Sequence, residues 1–294
     1  MLDQKLAEAM QRILSKDDKR SLLTATSQRL ADAGIGTKRG KSVYFTETDK
    51  AEMRAWLQAK GFSVGQVDLA GMPRSERLEV TPNEKAGGAS IKQNRVSIKS
   101  LGGQPLMIGG EAIRLPVESH LDVDWTKIAE QIEHSCVMVV ENYENFNRIH
   151  ETKFDLPEAF CSPLVIYHGD PNESRLDNVQ HFLNHINLSV LAFMDIDPAG
   201  IFMANKLPKL AAMIAPIRDT LEIQLSSPQT GRRDLFQSQY LNYGNALNDL
   251  PINSPCLSLW HLVEKHRAGI IQERWIGCSE ACVPWVSSEQ YFLR

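Results

Sequence analysis

Three short apolar runs constrain this chain more than any other feature: residues 137–140, 164–167 and 190–194, each stopping at polar residues. The first ends at Glu141, the second at His168-Gly169-Asp170, and the third at Asp195-Ile196-Asp197-Pro198-Ala199-Gly200. Runs of this length, rich in β-branched and aromatic residues and separated by amphipathic stretches long enough for a helix, predict buried parallel strands in βαβ units. Ligands of such sheets bind outside the carboxyl ends of the strands. Glu141, Gly169, Asp195 and Asp197 all fall at that edge, so carboxylates far apart in sequence are expected to converge.

Converging carboxylates suit a divalent metal used in phosphoryl chemistry. Mg²⁺ takes oxygen ligands, keeps several waters, and is usually held by one or two carboxylates together with substrate phosphates. A pair at i and i+2 would put Asp195 and Asp197 on one face of a strand, where they can share a metal. Pro198 suits a first helical turn, and Gly200 leaves room for close backbone approach. The competing reading is that the aspartates only cap a helix N-terminus. Glu141 at an equivalent strand end favours a site.

Glu141-Asn142 after a hydrophobic strand, Gly169 after the next, and Asp195-Ile-Asp197-Pro-Ala-Gly200 after the third resemble the Toprim domain of topoisomerases, primases and some nucleases. Within that superfamily the chain is most similar to the topoisomerase VI A-type group, and closest to the JetD-like nucleases of Wadjet plasmid-defence systems. Gln272-Glu273-Arg274 is similar to an element late in those proteins. The resemblance spans about residues 135 to 275, and Asp-x-Asp-Pro-x-Gly is its most specific part. It implies an α/β Toprim fold and a metal-dependent DNA endonuclease. Glu141, Asp195 and Asp197 would be the catalytic and metal-binding set, and Glu273 a further metal ligand. Asn142, Gly169, Asp170 and Gly200 would support the site, and Mg²⁺ or Mn²⁺ would be the cofactor. It further implies a homodimer recruited by an SMC-like ATPase complex with kleisin-type subunits.

A length of 294 residues suits two domains, expected at 1–120 and 121–294. The net charge of -4 hides an asymmetry. Residues 1–120 hold 19 Lys/Arg against 14 Asp/Glu, a net of +5, and the remainder holds 13 against 22, a net of -9. A basic front fits phosphate contact, and an acidic back fits gathered carboxylates. The N-terminus does not suit a secretory signal and no apolar run approaches a membrane span, so a cytoplasmic location is expected. The five cysteines are odd in number and unpatterned, which predicts reduced thiols. His261, His266, Cys278 and Cys282 lack the close spacing of a zinc site.

At the front, helices are expected over 2–14, 21–33 and 49–60, the last capped by Thr48, with a basic, glycine-punctuated turn and strand between the second and third. That order resembles a winged helix, with Lys38, Arg39 and Lys41 on the wing. A solvated basic loop in a small helical domain accounts for it equally well. Lys92, Arg95 and Lys99 lie in a stretch without acidic residues, and the alternation at 95–99 predicts a strand with one basic face, set either for DNA or for a guarded sheet edge.

Topoisomerase VI relatives act through a tyrosine. Tyr44 sits in an apolar run without an Arg and paired tyrosines beside it, which favours hydrolysis over a covalent protein–DNA link. A topoisomerase-like cleavage subunit and a non-catalytic DNA-binding adaptor stay open as alternatives. No GxxxxGK[ST] loop is present, so ATP-driven work would fall to a partner.

Overall fold

A computed structural model describes residues 4–16, 18–62, 64, 94–169 and 176–287. Lys92 and Asp170, both expected to contribute to binding, lie outside the described residues. The chain divides into two compact units, Met1–Ile91 and Lys92–Arg294. No helix among the described residues is long and apolar enough to cross a membrane.

The first unit runs α1 (Gln4–Leu14), β1 (Arg20–Leu22), α2 (Ala25–Asp32), β2 (Thr37–Arg39), β3 (Ser42–Tyr44) and α3 (Glu47–Ala59). Its three short strands pair antiparallel in the order β1-β3-β2. Leu6, Met10, Leu30, Val43, Phe45, Met53 and Leu57 form a core of their own. The helix expected over 21–33 is shorter, because Arg20–Leu22 pairs with β3 and Thr24 caps α2. Thr46, not Thr48, caps α3. Its side chain accepts from the Asp49 N–H (3.2 Å) while Asp49 accepts from the Thr46 N–H (2.7 Å), the reciprocal arrangement of a capping box.

The second unit is α/β. Its strands are β4 (Arg95–Ser100), β5 (Leu106–Ile108), β6 (Glu111–Ile113), β7 (Leu121–Asp124), β8 (Cys136–Val140), β9 (Pro163–Tyr167), β10 (Val190–Phe193), β11 (Leu210–Pro216) and β12 (Cys282–Trp285). Seven of them make a mixed sheet in the order β12-β11-β10-β8-β9-β4-β7, and β5 and β6 form a separate hairpin. The four central strands β11, β10, β8 and β9 are parallel, and β12, β4 and β7 join antiparallel at the two sides. Every residue of β8, β9 and β10 is buried, which explains why they read as unbroken apolar runs. The helices are α4 (Trp125–Ile128), α5 (Tyr143–Asn147), α6 (Leu176–His185), α7 (Pro198–Asn205), α8 (Arg218–Ser226), α9 (Arg233–Asn248) and α10 (Leu257–His266).

The stretch after residue 92, expected in the N-terminal region, therefore belongs to the second unit, with β4 as an interior strand between β9 and β7. This overturns the DNA-contact expectation for Lys99. Lys99 is only 5% exposed; its Nζ donates to the carbonyls of Phe146 (3.2 Å) and Asn147 (3.0 Å) and lies over the Phe146 ring. Arg95, its side chain 34% exposed, pairs with the Asp122 carboxylate at 3.2 Å and donates to the Asp122 carbonyl. Lys38, Arg39 and Lys41 are exposed on the β2–β3 hairpin, with the Arg39 guanidinium 5.5 Å from the centre of the Tyr44 ring.

Candidate active site

Parallel pairing in register sets the site. Val140 lies opposite Phe193, so the first residues past both strands are side by side. The Glu141 N–H bonds the Phe193 carbonyl at 3.1 Å, and the Glu141 Oε2 accepts from the Asp195 N–H at 3.0 Å. The aspartates were expected to share the face of a strand, but β10 stops at Phe193 and both lie in the connection to α7. Asp197 is the N-cap of that helix. It is 3% exposed, with Oδ1 accepting from the Gly200 N–H (2.8 Å) and Oδ2 from Gln239 Nε2 (2.8 Å). The capping reading therefore holds for Asp197, and it holds together with proximity to the other carboxylates.

A turn far along the chain completes the cluster. Gln272, fully buried at the start of a 3₁₀ turn (Gln272–Trp275), donates Nε2 to the Phe193 carbonyl (2.8 Å) and accepts at Oε1 from the Asn142 N–H (3.1 Å). Its own N–H donates to Asp195 Oδ1 (2.7 Å), and its carbonyl accepts from Asn145 Nδ2 (3.0 Å). Next to it, Glu273 Oε1 accepts from Asn142 Nδ2 at 2.5 Å. Glu141, Asp195, Asp197, Glu273 and Asn142 are thus assembled, with Gly200 beside them. Gly169 stands two residues past the end of β9, with φ near +100°, a conformation open to glycine. Gln272 entered from the sequence only within the Gln-Glu-Arg resemblance, and Gln239 was not singled out, because an amide carries no periodicity signal of its own.

Charge accumulates here without a neutralising partner. Burial, then the negative charge of Asp195, with further contributions from Asp197 and Glu273, pushes the Glu141 carboxyl up to about 8. Burial pushes Asp195 up to about 7, with Asp197 and Glu273 adding to the rise against the Gln272 N–H. Folding thus raises the proton affinity of both groups. Their stabilising protonation is complete below the ordinary carboxylate range and is lost as pH rises through 7 and 8. Metal-free protein is expected to melt progressively lower between about pH 5 and pH 8, and Glu141→Gln to flatten that decline. Calorimetry in EDTA across the range checks it, and a slope equal to the wild type's would count against the coupling.

The donors here are of the kind that a hard divalent cation takes. Glu141, Asp195 and Glu273 each have one oxygen held by an N–H and one without a hydrogen-bond partner among the described residues, and none of these free oxygens is sealed from solvent. Oxygen-only donors of this kind suit Mg²⁺ or Mn²⁺. No three ligand atoms of the cluster lie within 4.8 Å of one another; among the described residues that spacing occurs at Glu118, His150 and Glu151, which could hold a metal ion. There, however, Glu151 is already gripped by Arg148 through both oxygens (2.8 and 2.7 Å). His261, His266, Cys278 and Cys282 do not gather.

Gly200 fixes how closely α7 follows the site. A Cβ at this position would lie 2.2 Å from the Asp195 carbonyl oxygen, which is backbone and cannot swing aside. Gly200→Ala is expected to cost about 1–3 kcal/mol and to displace Asp195. A lower melting temperature together with weaker Mn²⁺ binding by calorimetry would show both effects.

The fold and site define an α/β protein with a carboxylate cluster at the carboxyl ends of its central parallel strands. The chain belongs to the family described as domain of unknown function DUF7281, whose model matches residues 93–279, more than half of the chain. The match begins just before β4 and runs past Glu273, so it holds the whole cluster and leaves out the first unit. No curated protein matches the chain.

Proposed function

We propose that this protein is a metal-dependent phosphodiesterase acting on DNA, with a Toprim-like second unit. The observation that carries the reading is the set of free oxygens on Glu141, Asp195 and Glu273 at one sheet edge, with the proton affinity of Glu141 and Asp195 raised. Mg²⁺ or Mn²⁺ held by these residues would supply a Lewis acid that offsets charge building on the scissile phosphate and leaving oxygen. With the metal held by Asp195 and Glu273 alone, the free Glu141 oxygen, positioned through its bonded partner, would instead serve as the base that takes a proton from the attacking water. Asp197 orients the connection by capping α7, and Asn142 aims Glu273 through their 2.5 Å hydrogen bond.

The first unit, with its exposed Lys38, Arg39 and Lys41 on a hairpin beside three helices, supports duplex holding in the manner of a winged helix. The likeness to JetD-like nucleases extends the proposal to a homodimer directed by an SMC-like ATPase with kleisin-type subunits.

The test is conversion of supercoiled plasmid to nicked and linear forms with Mg²⁺ or Mn²⁺, beside an EDTA control. Metal-dependent cutting supports the reading. Metal binding without cutting, with or without an SMC-like ATPase complex, would leave a DNA-binding adaptor. A complex covalently trapped on DNA and lost in Tyr44→Phe would mark a topoisomerase-like subunit instead.

A further inference from the structure

The unit that carries the carboxylates is acidic, yet one groove on it is lined by cations alone among its charged residues. Between α9 and the end of α10 lies a cavity of about 520 Å³ walled by Arg233, Lys265, His266 and Arg267 together with Phe236 and Tyr240. Lys265 pairs with Glu222 at 3.0 Å, but Arg233 and Arg267 make no ion pair among the described residues. The His266 Nε2 is buried there without a hydrogen-bond partner.

Helix capping explains only part of this. Lys265 and His266 stand in the last turn of α10, where cations complement the helix dipole. Arg233 is the first residue of α9, at the end where the dipole opposes a cation. Arg267 follows α10 with φ near +50°, a conformation that is uncommon for a side chain of this size.

The aromatic wall is ordered. Phe236 and Tyr240 lie with rings 5.0 Å apart, and both stack near-parallel on Trp260. Phe236 is only 6% exposed, so the half-buried Tyr240 is the ring that meets the groove. Several cations spread along one groove suit an extended polyanion such as a polynucleotide backbone more than a single small anion.

The groove also adjoins the carboxylates. Arg232 and Gly269 exchange backbone hydrogen bonds of 2.8 and 3.0 Å, and a Cβ on Gly269 would lie 2.6 Å from the Asp197 Cβ. Arg233 is one residue from that bridge and Arg267 two, which keeps their backbones within about 8 Å of it. Gln239, on the same helix as Arg233, holds Asp197.

We infer that this groove seats the phosphodiester backbone of a polynucleotide on one flank of the strand-edge carboxylates. The inference rests on the nuclease reading for what the strand is there for, but the binding is tested without cutting. The full chain in EDTA is titrated into labelled duplex and single-stranded DNA over a range of KCl, as wild type, Arg233→Glu/Arg267→Glu and Arg233→Lys/Arg267→Lys. Each is repeated in a Lys38→Glu/Lys41→Glu background, so that the first unit cannot mask the effect.

The Glu pair is expected to weaken binding at least tenfold and to make the salt slope shallower by about 2, with the Lys pair close to wild type. Unchanged affinity in both backgrounds overturns the inference. So does displacement of the DNA by inorganic phosphate at millimolar concentration, which would mark a small-anion site. A protein that binds as expected and never cuts would overturn the nuclease reading and leave this one standing.

Discussion

Asp195→Asn and Glu141→Gln are each expected to lower metal-dependent plasmid cutting by at least about a hundredfold while leaving the melting temperature of metal-free protein unchanged or higher at pH 8.5. The two effects separate because the residues serve two purposes. Their bonded oxygens join Glu141 to the Asp195 N–H and Asp195 to the Gln272 N–H, and an amide oxygen accepts equally well. What the amide removes is the charge, which attracts a cation but repels its neighbours when none is bound. A purely structural cluster would show the stability change without the loss of cutting. Cutting that survives in both variants would sink the assignment of these carboxylates.

Gln272→Leu is expected to destabilise the protein by about 2–4 kcal/mol, a fall in melting temperature of about 5–10 °C. The Phe193 carbonyl keeps the Glu141 N–H as a donor after the change, but the Asn142 N–H loses its partner in a buried setting. Metal affinity is expected to fall as well, because the bonds that order Asn142 and Asp195 weaken together. Denaturant unfolding and Mn²⁺ titration read the two losses separately. A stability change below about 0.5 kcal/mol would show that the amide is a bystander.

Much of the site was legible because buried parallel strands announce themselves. The runs that became β8, β9 and β10 are apolar throughout, and the rule for ligands at their carboxyl ends brought Glu141 to Asp195 without any contact information. Glu273 was visible only through resemblance, since no local pattern ties a turn at 272–275 to a strand at 136–140. Gln272 came with it in that same resemblance, whereas Gln239 was invisible, its partners lying 40 and 42 positions away. Lys99 misled because alternation shows a pleat but not what covers its faces. Pairing of β4 with β9, more than sixty positions on, turned an apparent basic edge into the interior of the sheet. At Thr46 a capping box stood in the sequence, with Asp49 three residues on, and the nearer threonine at 48 drew attention from it.

The turn that carries Gln272 and Glu273 also gives the carboxylate cluster a latch. The parallel strands are held by their own ladders, whereas the cluster is closed by one short segment bonded to Phe193, Asn142, Asn145 and Asp195. The segment is itself pinned at both ends: Ile270 exchanges backbone hydrogen bonds with Ile196, and the fully buried Trp275 packs on Phe193 and donates to Gln224. The placing of Glu273 and Asp195 is therefore set by the same packing that holds β10, and damage to that core would be felt at the carboxylates.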